Sequence, residues 1–275
     1  MKNLLTRTLF GLLYLAVMVA CLLISKYLFL ILMLAIMVLM MNEFHTMHIG
    51  SSFPVQQILA MLTGVTFFVL LFLEKVYIMD PSVLVIGFVP LFIQLGSLLF
   101  IKDRTELDKV FVTFASVLYI ALPLTLFNML VFRNYTYHGD LLLCMFVLVW
   151  MSDIGAYVFG MLLGQKYGPK LCPTISPKKS WIGVAGGVVV TIGSALLLNC
   201  LGFLPFSGWH CTALAVIVCV FGIVGDLVES VWKRHCDIKD SGNLIPGHGG
   251  MMDRFDSALF AIPACAVYLY CAGLM

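Results

Sequence analysis

Residues 225–256 read G-D-L-V-E-S-V-W-K-R-H-C-D-I-K-D-S-G-N-L-I-P-G-H-G-G-M-M-D-R-F-D. This stretch carries ten of the thirty Asp, Glu, Lys and Arg side chains of a 275-residue chain that is 62% hydrophobic. Apolar runs lead into it and out of it, and some of its acids lie within those runs. Because carboxylates inside apolar segments are costly in lipid, they mark functional positions.

The spacing of these polar residues predicts a shared helix face. Asp226, Glu229 or Ser230, and Lys233 follow one another at i, i+3 or i+4, and i+7. Residues with this spacing lie on the same side of an α-helix. Asp253 and Asp256, three residues apart, repeat the pattern at the start of the last apolar run.

Residues 242–250, between the two acidic pairs, are rich in Gly and contain one Pro. Backbone N–H groups in such a segment can approach an anion closely. Paired carboxylates, flanking bases and a Gly-rich loop suit Mg²⁺ with a phosphate substrate, because Mg²⁺ takes few protein oxygens and completes its shell with phosphate and water. A charged loop that only joins two helices is the alternative.

The composition predicts an all-α, polytopic integral membrane protein. Mean hydropathy is +1.06, and continuous apolar runs recur along the whole chain. Helices satisfy their own backbone in lipid, whereas the strands of a barrel would show alternation. We predict nine spans, at residues 9–24, 27–41, 58–73, 83–101, 110–132, 141–163, 183–204, 211–232 and 255–274.

The distribution of basic residues predicts the orientation. With nine spans and a cytoplasmic N-terminus, thirteen of the sixteen Lys and Arg side chains lie inside and three outside, as the positive-inside rule requires. Merging the first two spans would give eight and would place Lys26 within the bilayer. In this topology Glu43, His45 and His48 fall in an inner loop, which we interpret as solvated.

Two further segments combine polar residues with apolar surroundings. Asp153 lies deep in the sixth predicted span, where a carboxylate needs a polar cavity or a partner. The inner loop at residues 164–183 contains four Lys together with Gly and Pro. Its charge is equally consistent with phosphate binding and with a topology anchor.

Several motifs together resemble the signature of CDP-diacylglycerol synthases, also called phosphatidate cytidylyltransferases. They are S-x-x-K-R at residues 230–234, K-D at 239–240, P-G-H-G-G-x-x-D-R-x-D at 246–256, D-x-x-A-Y-x-x-G at 153–160 and S-P-K-K-S at 176–180. Ser180 replaces the family's usual Thr and keeps the hydroxyl, whereas Ile182 stands where Glu is usual. The resemblance is sharp over residues 150–256 and general before that.

The resemblance implies transfer of CMP from CTP to phosphatidate with Mg²⁺, and it leaves a second cation open. It implies metal ligation by Asp226 and Asp253, with Asp256 as a third ligand, and catalytic roles for these acids and for Lys233 and Arg234. The remaining positions are expected to bind substrate: Asp153, Ser176, Lys178, Lys179, Ser180, Ser230, Lys239, Asp240, His248, Gly249, Gly250 and Arg254.

These expectations place the catalytic site in residues 138–275 and assign residues 1–137 mainly to a scaffold. The expected partners are CTP, phosphatidate and the lipid bilayer, without nucleic acid, and a homodimer is left open. The expected location is a bacterial inner membrane with the site facing the cytoplasm. A CTP-dependent lipid (polyprenol) kinase and a membrane transporter are the alternatives.

Overall fold

The computed structural model describes residues 2–165, 168–244 and 249–275, without the side chains of residues 2–7 and 104. Most of this described chain is helical, with two short β-hairpins, β1 (Phe132–Arg133) with β2 (Thr136–Tyr137) and β3 (Lys170–Cys172) with β4 (Ser176–Ser180). The helices are α1 (Lys2–Ile24), α2 (Lys26–Ile49), α3 (Pro54–Tyr77), α4 (Pro81–Phe100), α5 (Leu107–Val131), α6 (Gly139–Gly164), α7 (Trp181–Cys200), α8 (Gly208–His235), α9 (Met252–Phe255) and α10 (Ala258–Cys271).

Local sequence explains where several helices begin and end. Ser25 separates α1 from α2, and its hydroxyl accepts a hydrogen bond from the Tyr27 N–H at 3.2 Å, which caps α2. Gly50 ends α2 with a φ of 58°, a conformation that suits glycine. Pro54 opens α3, where its missing N–H costs no helical hydrogen bond. The first two predicted spans are therefore separate helices.

Helices α2 to α8 are long and apolar enough to cross a membrane. Helix α1 contains the shorter apolar segment Thr8–Ile24, and α10 has 14 residues. Nine of the described helices, all except the four-residue α9, thus follow the order of the nine predicted spans. The protein is a polytopic α-helical membrane protein, and its orientation stays a prediction.

The last turns of α2 correct one prediction. Glu43, His45 and His48 lie in this helix rather than in a solvated loop. His45 is buried, and its Nε2 lies 2.8 Å from the Ser116 hydroxyl of α5. The fall in hydropathy after Met41 predicts a loop. This prediction is wrong because the helix continues to Ile49, and its polar side chains find partners inside the protein.

The chain divides into two compact units. The first comprises Met1–Gly139 and Asp240–Arg254, and the second comprises Asp140–Lys239 and Phe255–Met275. In the first unit α3 packs against α2, α4 and α5. A buried hydrogen bond of 2.9 Å from Gln94 Nε2 to Thr113 Oγ1 joins α4 to α5. Such polar contacts are common between helices in membranes.

In the second unit α8 packs against α7 and α10. Small residues allow a close approach between α6 and α7. A methyl group at Gly155 would lie 3.0 Å from the Gly186 carbonyl oxygen and 3.1 Å from the Gly187 Cα. The β3–β4 hairpin lies between the end of α6 and the start of α7, which is the side predicted to be cytoplasmic. The assignment of scaffold and catalytic halves stays a prediction.

Candidate active site

The second unit brings together the polar side chains of α8 and the turn that precedes α10. Ser230 Oγ donates to Asp226 Oδ1 at 3.4 Å, and Lys233 Nζ lies 3.2 Å from the fully buried Glu229 Oε2. These contacts confirm the shared face predicted from the spacing. A methyl group at Gly225 would overlap the backbone oxygen of Asp256, so glycine permits the close approach of the turn to α8.

Asp256 lies in the turn between α9 and α10, outside the spanning helices. Burial raises the pKa of Asp256 to about 6, and the neighbouring Asp226 carboxylate acts in the same direction. Hydrogen bonds with Glu229 and with the Ser257 N–H, and the charge of Lys233, oppose this rise. A buried carboxylate beside a second carboxylate forms a place where a bound cation would be stabilised.

Lys179, in strand β4, forms an ion pair with Asp226. The two side chains are 25% and 31% exposed, so the pair is partly shielded from solvent. Its neighbour Lys178 is exposed, because successive residues of a strand point to opposite sides. The hairpin therefore delivers one of its two predicted phosphate-binding lysines to the carboxylates of α8.

Ser176 and Ser180 are the first and last residues of strand β4, and Ser180 also caps the helix that follows. Ser180 is buried and its Oγ accepts from the Gly183 N–H at 3.2 Å, so it caps α7. A methyl group at Gly164 would overlap this Oγ. Ser176 begins β4 and is half-buried. The hydroxyl kept by the Ser-for-Thr replacement is thus used to start a helix.

The residues after α8 are more exposed. Arg234 donates from Nη1 to the Ile238 carbonyl oxygen at 2.8 Å, which closes the turn containing Asp237 at a φ of 54°. Lys239, Asp240 and Arg254 are exposed, and so is Asp153 on α6. His248 lies outside the described residues.

A second polar cluster lies in the first unit and is built around Ser241. Asp253 Oδ2 accepts from the Ser241 N–H at 3.0 Å and from the Gly250 N–H at 2.8 Å. Glu43 accepts from the backbone N–H groups of Met251 and Met252. Gly249, next to this cluster, has a φ of 85° that glycine adopts readily. The described glycines of the predicted Gly-rich loop, at positions 242, 249 and 250, therefore lie against carboxylates of the protein itself.

The donor chemistry fits Mg²⁺ at the second unit's carboxylates. Asp226 and Asp256 supply hard oxygen atoms, and Mg²⁺ usually keeps several waters or phosphate oxygens beside one or two carboxylates. Within the described parts of the chain, no group of three or more His, Cys, Asp and Glu side chains is arranged to hold a metal by itself. Asp253 belongs to the first unit, so the predicted ligand set is divided between the two units.

Two acids of the polar clusters, one in each unit, have no role predicted from the sequence. Glu229 shares the helix face with Asp226 and Lys233, so its spacing was a usable signal. Glu43 lies about 200 positions before its hydrogen-bond partners, and its sequence neighbourhood gives no sign of them. The one local signal for a role of Glu43 is that its carboxylate lies at the end of an apolar run.

This fold and these clusters define a class: polytopic membrane proteins with paired carboxylates and lysines on and beside their helices. The sequence profile of the Cytidylyltransferase family matches residues 5–272. The chain belongs to this family.

Curated relatives carry a more specific name. The chain is 41% identical over 165 residues to "Phosphatidate cytidylyltransferase" of Bacillus subtilis (strain 168), which is 59% of each protein. It is 43% identical over 126 residues to the protein of that name from Staphylococcus aureus (strain COL), which is 45% of this chain and 46% of the relative. These alignments span less than two thirds of the relatives' length.

Proposed function

We propose that the protein transfers CMP from CTP to phosphatidate, producing CDP-diacylglycerol and pyrophosphate. The observation that carries this proposal is the cluster of Asp226, Asp256 and Lys179 in a member of the cytidylyltransferase family. Relatives named for this activity support the choice of lipid substrate. Paired carboxylates with a nearby lysine are suited to holding a cation and the phosphate groups that it neutralises.

In this reaction a phosphate oxygen of phosphatidate attacks the α-phosphorus of CTP, and the bond from that phosphorus to the β-phosphate oxygen breaks. Because the attacking group is already an anion, it needs little help from a general base. The main requirements are neutralisation of charge and in-line positioning of the two phosphates. We assign charge neutralisation to Lys179 and Lys233, whose ammonium groups already face carboxylates of α8 and the adjoining turn.

Asp226 and Asp256, both in the second unit, would hold Mg²⁺, and metal ligation by Asp253 stays a prediction from the sequence. When bound, Mg²⁺ would supply a Lewis acid for the phosphate oxygens. Lys179 would then exchange its contact with Asp226 for a phosphate oxygen of the nucleotide. Glu229, buried against Lys233 and hydrogen-bonded to Asp256, would fix the orientation of both groups.

The location and partners follow from the substrates. Phosphatidate would enter from the bilayer, and CTP would enter from the cytoplasm, where the basic residues of the predicted inner loops lie. A bacterial inner membrane is the membrane we propose, in keeping with the bacterial relatives. We also retain the predicted substrate contacts of Lys178, Ser230, Lys239, Asp240 and Arg254 as proposals.

Product analysis of the purified full chain tests this function. CTP labelled at the α-phosphate should give labelled CDP-diacylglycerol when phosphatidate and Mg²⁺ are present, together with unlabelled pyrophosphate. Transfer of a γ-label to a polyprenol, with release of CDP, would instead identify a lipid kinase. Solute flux in proteoliposomes without CTP, and no lipid product, would identify a transporter.

A further inference from the structure

Glu43 lies at the end of the long apolar run of α2 and contacts a short segment of which the structure describes residues 241–244 and 249–253. Its Oε1 accepts from the Met251 N–H at 2.8 Å, and its Oε2 accepts from the Met252 N–H at 2.9 Å. One carboxylate thus accepts from the backbone N–H groups of Met251 and Met252, at the start of α9. Hydrogen bonds from N–H groups to an ionised acceptor are shorter and stronger than neutral ones.

Ser241 connects Glu43 to the predicted metal ligand Asp253. Its Oγ lies 3.1 Å from Glu43 Oε2 and 3.1 Å from Asp253 Oδ2. A hydroxyl carries one proton, so it donates to one of these carboxylates at a time. Asp253 Oδ2 also accepts from the N–H groups of Ser241 and Gly250. Ser241 and the backbone therefore fix two carboxylates to the same short segment.

The glycines of this segment make room for the carboxylates. A methyl group at Gly250 would lie 2.5 Å from Glu43 Oε2 and 2.8 Å from the Gly242 nitrogen. A methyl group at Gly249 would lie 2.6 Å from Asp253 Oδ2, and one at Gly242 would lie 3.0 Å from Glu43 Oε1. Alanine would disturb each of these contacts. The absence of side chains at these glycines thus leaves room for the carboxylates of Glu43 and Asp253.

We propose that Glu43 is a positioning residue that holds the described residues of this segment, 241–244 and 249–253, in place and thereby orients the Asp253 carboxylate for the cytidylyl transfer. This inference rests on the proposed function for its catalytic consequence and on the hydrogen bonds for its structural premise. We assign Glu43 no contact with substrate. Its effect reaches the reaction through Ser241 and the backbone of the loop.

The test compares Glu43→Gln with wild type in the purified full chain. Glutamine has nearly the same shape, but its NH₂ group cannot accept from a backbone N–H, so one of the two backbone bonds is lost. We expect faster hydrogen exchange in a peptide that contains Met251 and Met252. We also expect a higher half-saturating Mg²⁺ concentration. The ratio of kcat to that concentration should fall roughly ten-fold or more, as for loss of a charge-assisted contact.

Glu106→Gln is the matched control, because it makes the same chemical change in the same unit at an exposed ion pair with Lys109. This control should leave both readouts near wild type. Glu43→Asp keeps the charge but is one methylene shorter, and it should restore part of the exchange protection. If Glu43→Gln yields too little protein, Ser241→Ala removes the hydroxyl link and should raise the Mg²⁺ requirement in the same direction.

Three results separate the outcomes. Unchanged exchange at Met251 and Met252 in Glu43→Gln would overturn the inference, whatever the activity. Faster exchange with an unchanged Mg²⁺ requirement, and kcat lowered only in proportion to the folded fraction, would mean that Glu43 serves stability and would also overturn it. Wild-type protein that makes no CDP-diacylglycerol would refute the proposed function, and the exchange measurement would still decide whether Glu43 holds the segment.

Discussion

Replacement of Lys179 by Gln tests the central ion pair of the second unit. Lys179 contacts Asp226, and both side chains are partly shielded, at 25% and 31% exposure. Two unit charges about 4 Å apart attract by roughly 4 kcal/mol at an effective dielectric constant near 20. Exposed pairs measure only about 0.2–1 kcal/mol. Because this pair is intermediate in exposure, we expect a net contribution of about 1–2 kcal/mol.

This magnitude predicts opposite effects on metal affinity and on turnover. Without nucleotide, the Lys179 ammonium competes with a divalent cation for Asp226. Its removal should tighten Mn²⁺ binding by about five- to thirty-fold, the equivalent of the 1–2 kcal/mol above. With CTP and phosphatidate, the lost phosphate contact should lower kcat/KM by about one to two powers of ten. A residue that only anchors topology would change neither quantity.

The assay measures Mn²⁺ binding by electron paramagnetic resonance and initial rates of CDP-diacylglycerol formation on the same purified samples. Lys178→Gln is the matched control, because it removes the same charge one residue earlier, on the exposed side of β4. The control should leave Mn²⁺ affinity near wild type. Wild-type Mn²⁺ affinity together with wild-type kinetics in Lys179→Gln would refute the reasoning.

Three further predictions concern the metal, the topology and a helix cap. Asp226→Asn should nearly abolish turnover while the protein still inserts and purifies, and EDTA should do the same to wild type; full activity in EDTA would exclude the metal. Cysteines introduced at Ser207 and Asn243 should label from the outside and the inside of the membrane, respectively, above the background of the unsubstituted protein; the reverse pattern would invert the topology. Ser180→Ala removes the cap of α7 and should cost about 1 kcal/mol of stability, seen as a lower midpoint of thermal unfolding; an unchanged midpoint would show that the cap contributes little.

Local patterns in the sequence were sufficient for the helices and for one face of the site. Continuous apolar runs predict the helices because each span must satisfy its backbone within lipid. The spacing of Asp226, Glu229 and Lys233 predicts their shared face because helical geometry is fixed over a few turns. The contact of Lys233 with Glu229 follows from that geometry alone.

Contacts between distant segments were beyond the reach of these patterns. The ion pair of Lys179 with Asp226 depends on how the hairpin before α7 folds toward α8, and no local spacing encodes that approach. The polar residues after Met41 predict a loop at Glu43, although α2 continues to Ile49. Its hydrogen bonds reach residues more than two hundred positions away. Tertiary partners thus allow polar side chains in the last turns of this helix, before Gly50 ends it.

The route of the chain through the two units limits how the protein can be divided. Residues 240–254 belong to the first unit but are encoded between α8 and α10 of the second. A gene split after Gly139 would place Glu43 on one polypeptide and the backbone donors of Met251 and Met252 on the other. The two fragments would need co-expression and reassembly before the cluster of Glu43, Ser241 and Asp253 formed, whereas Lys179, Asp226 and Asp256 stay on one polypeptide. Split-protein complementation would therefore report on completion of the first unit.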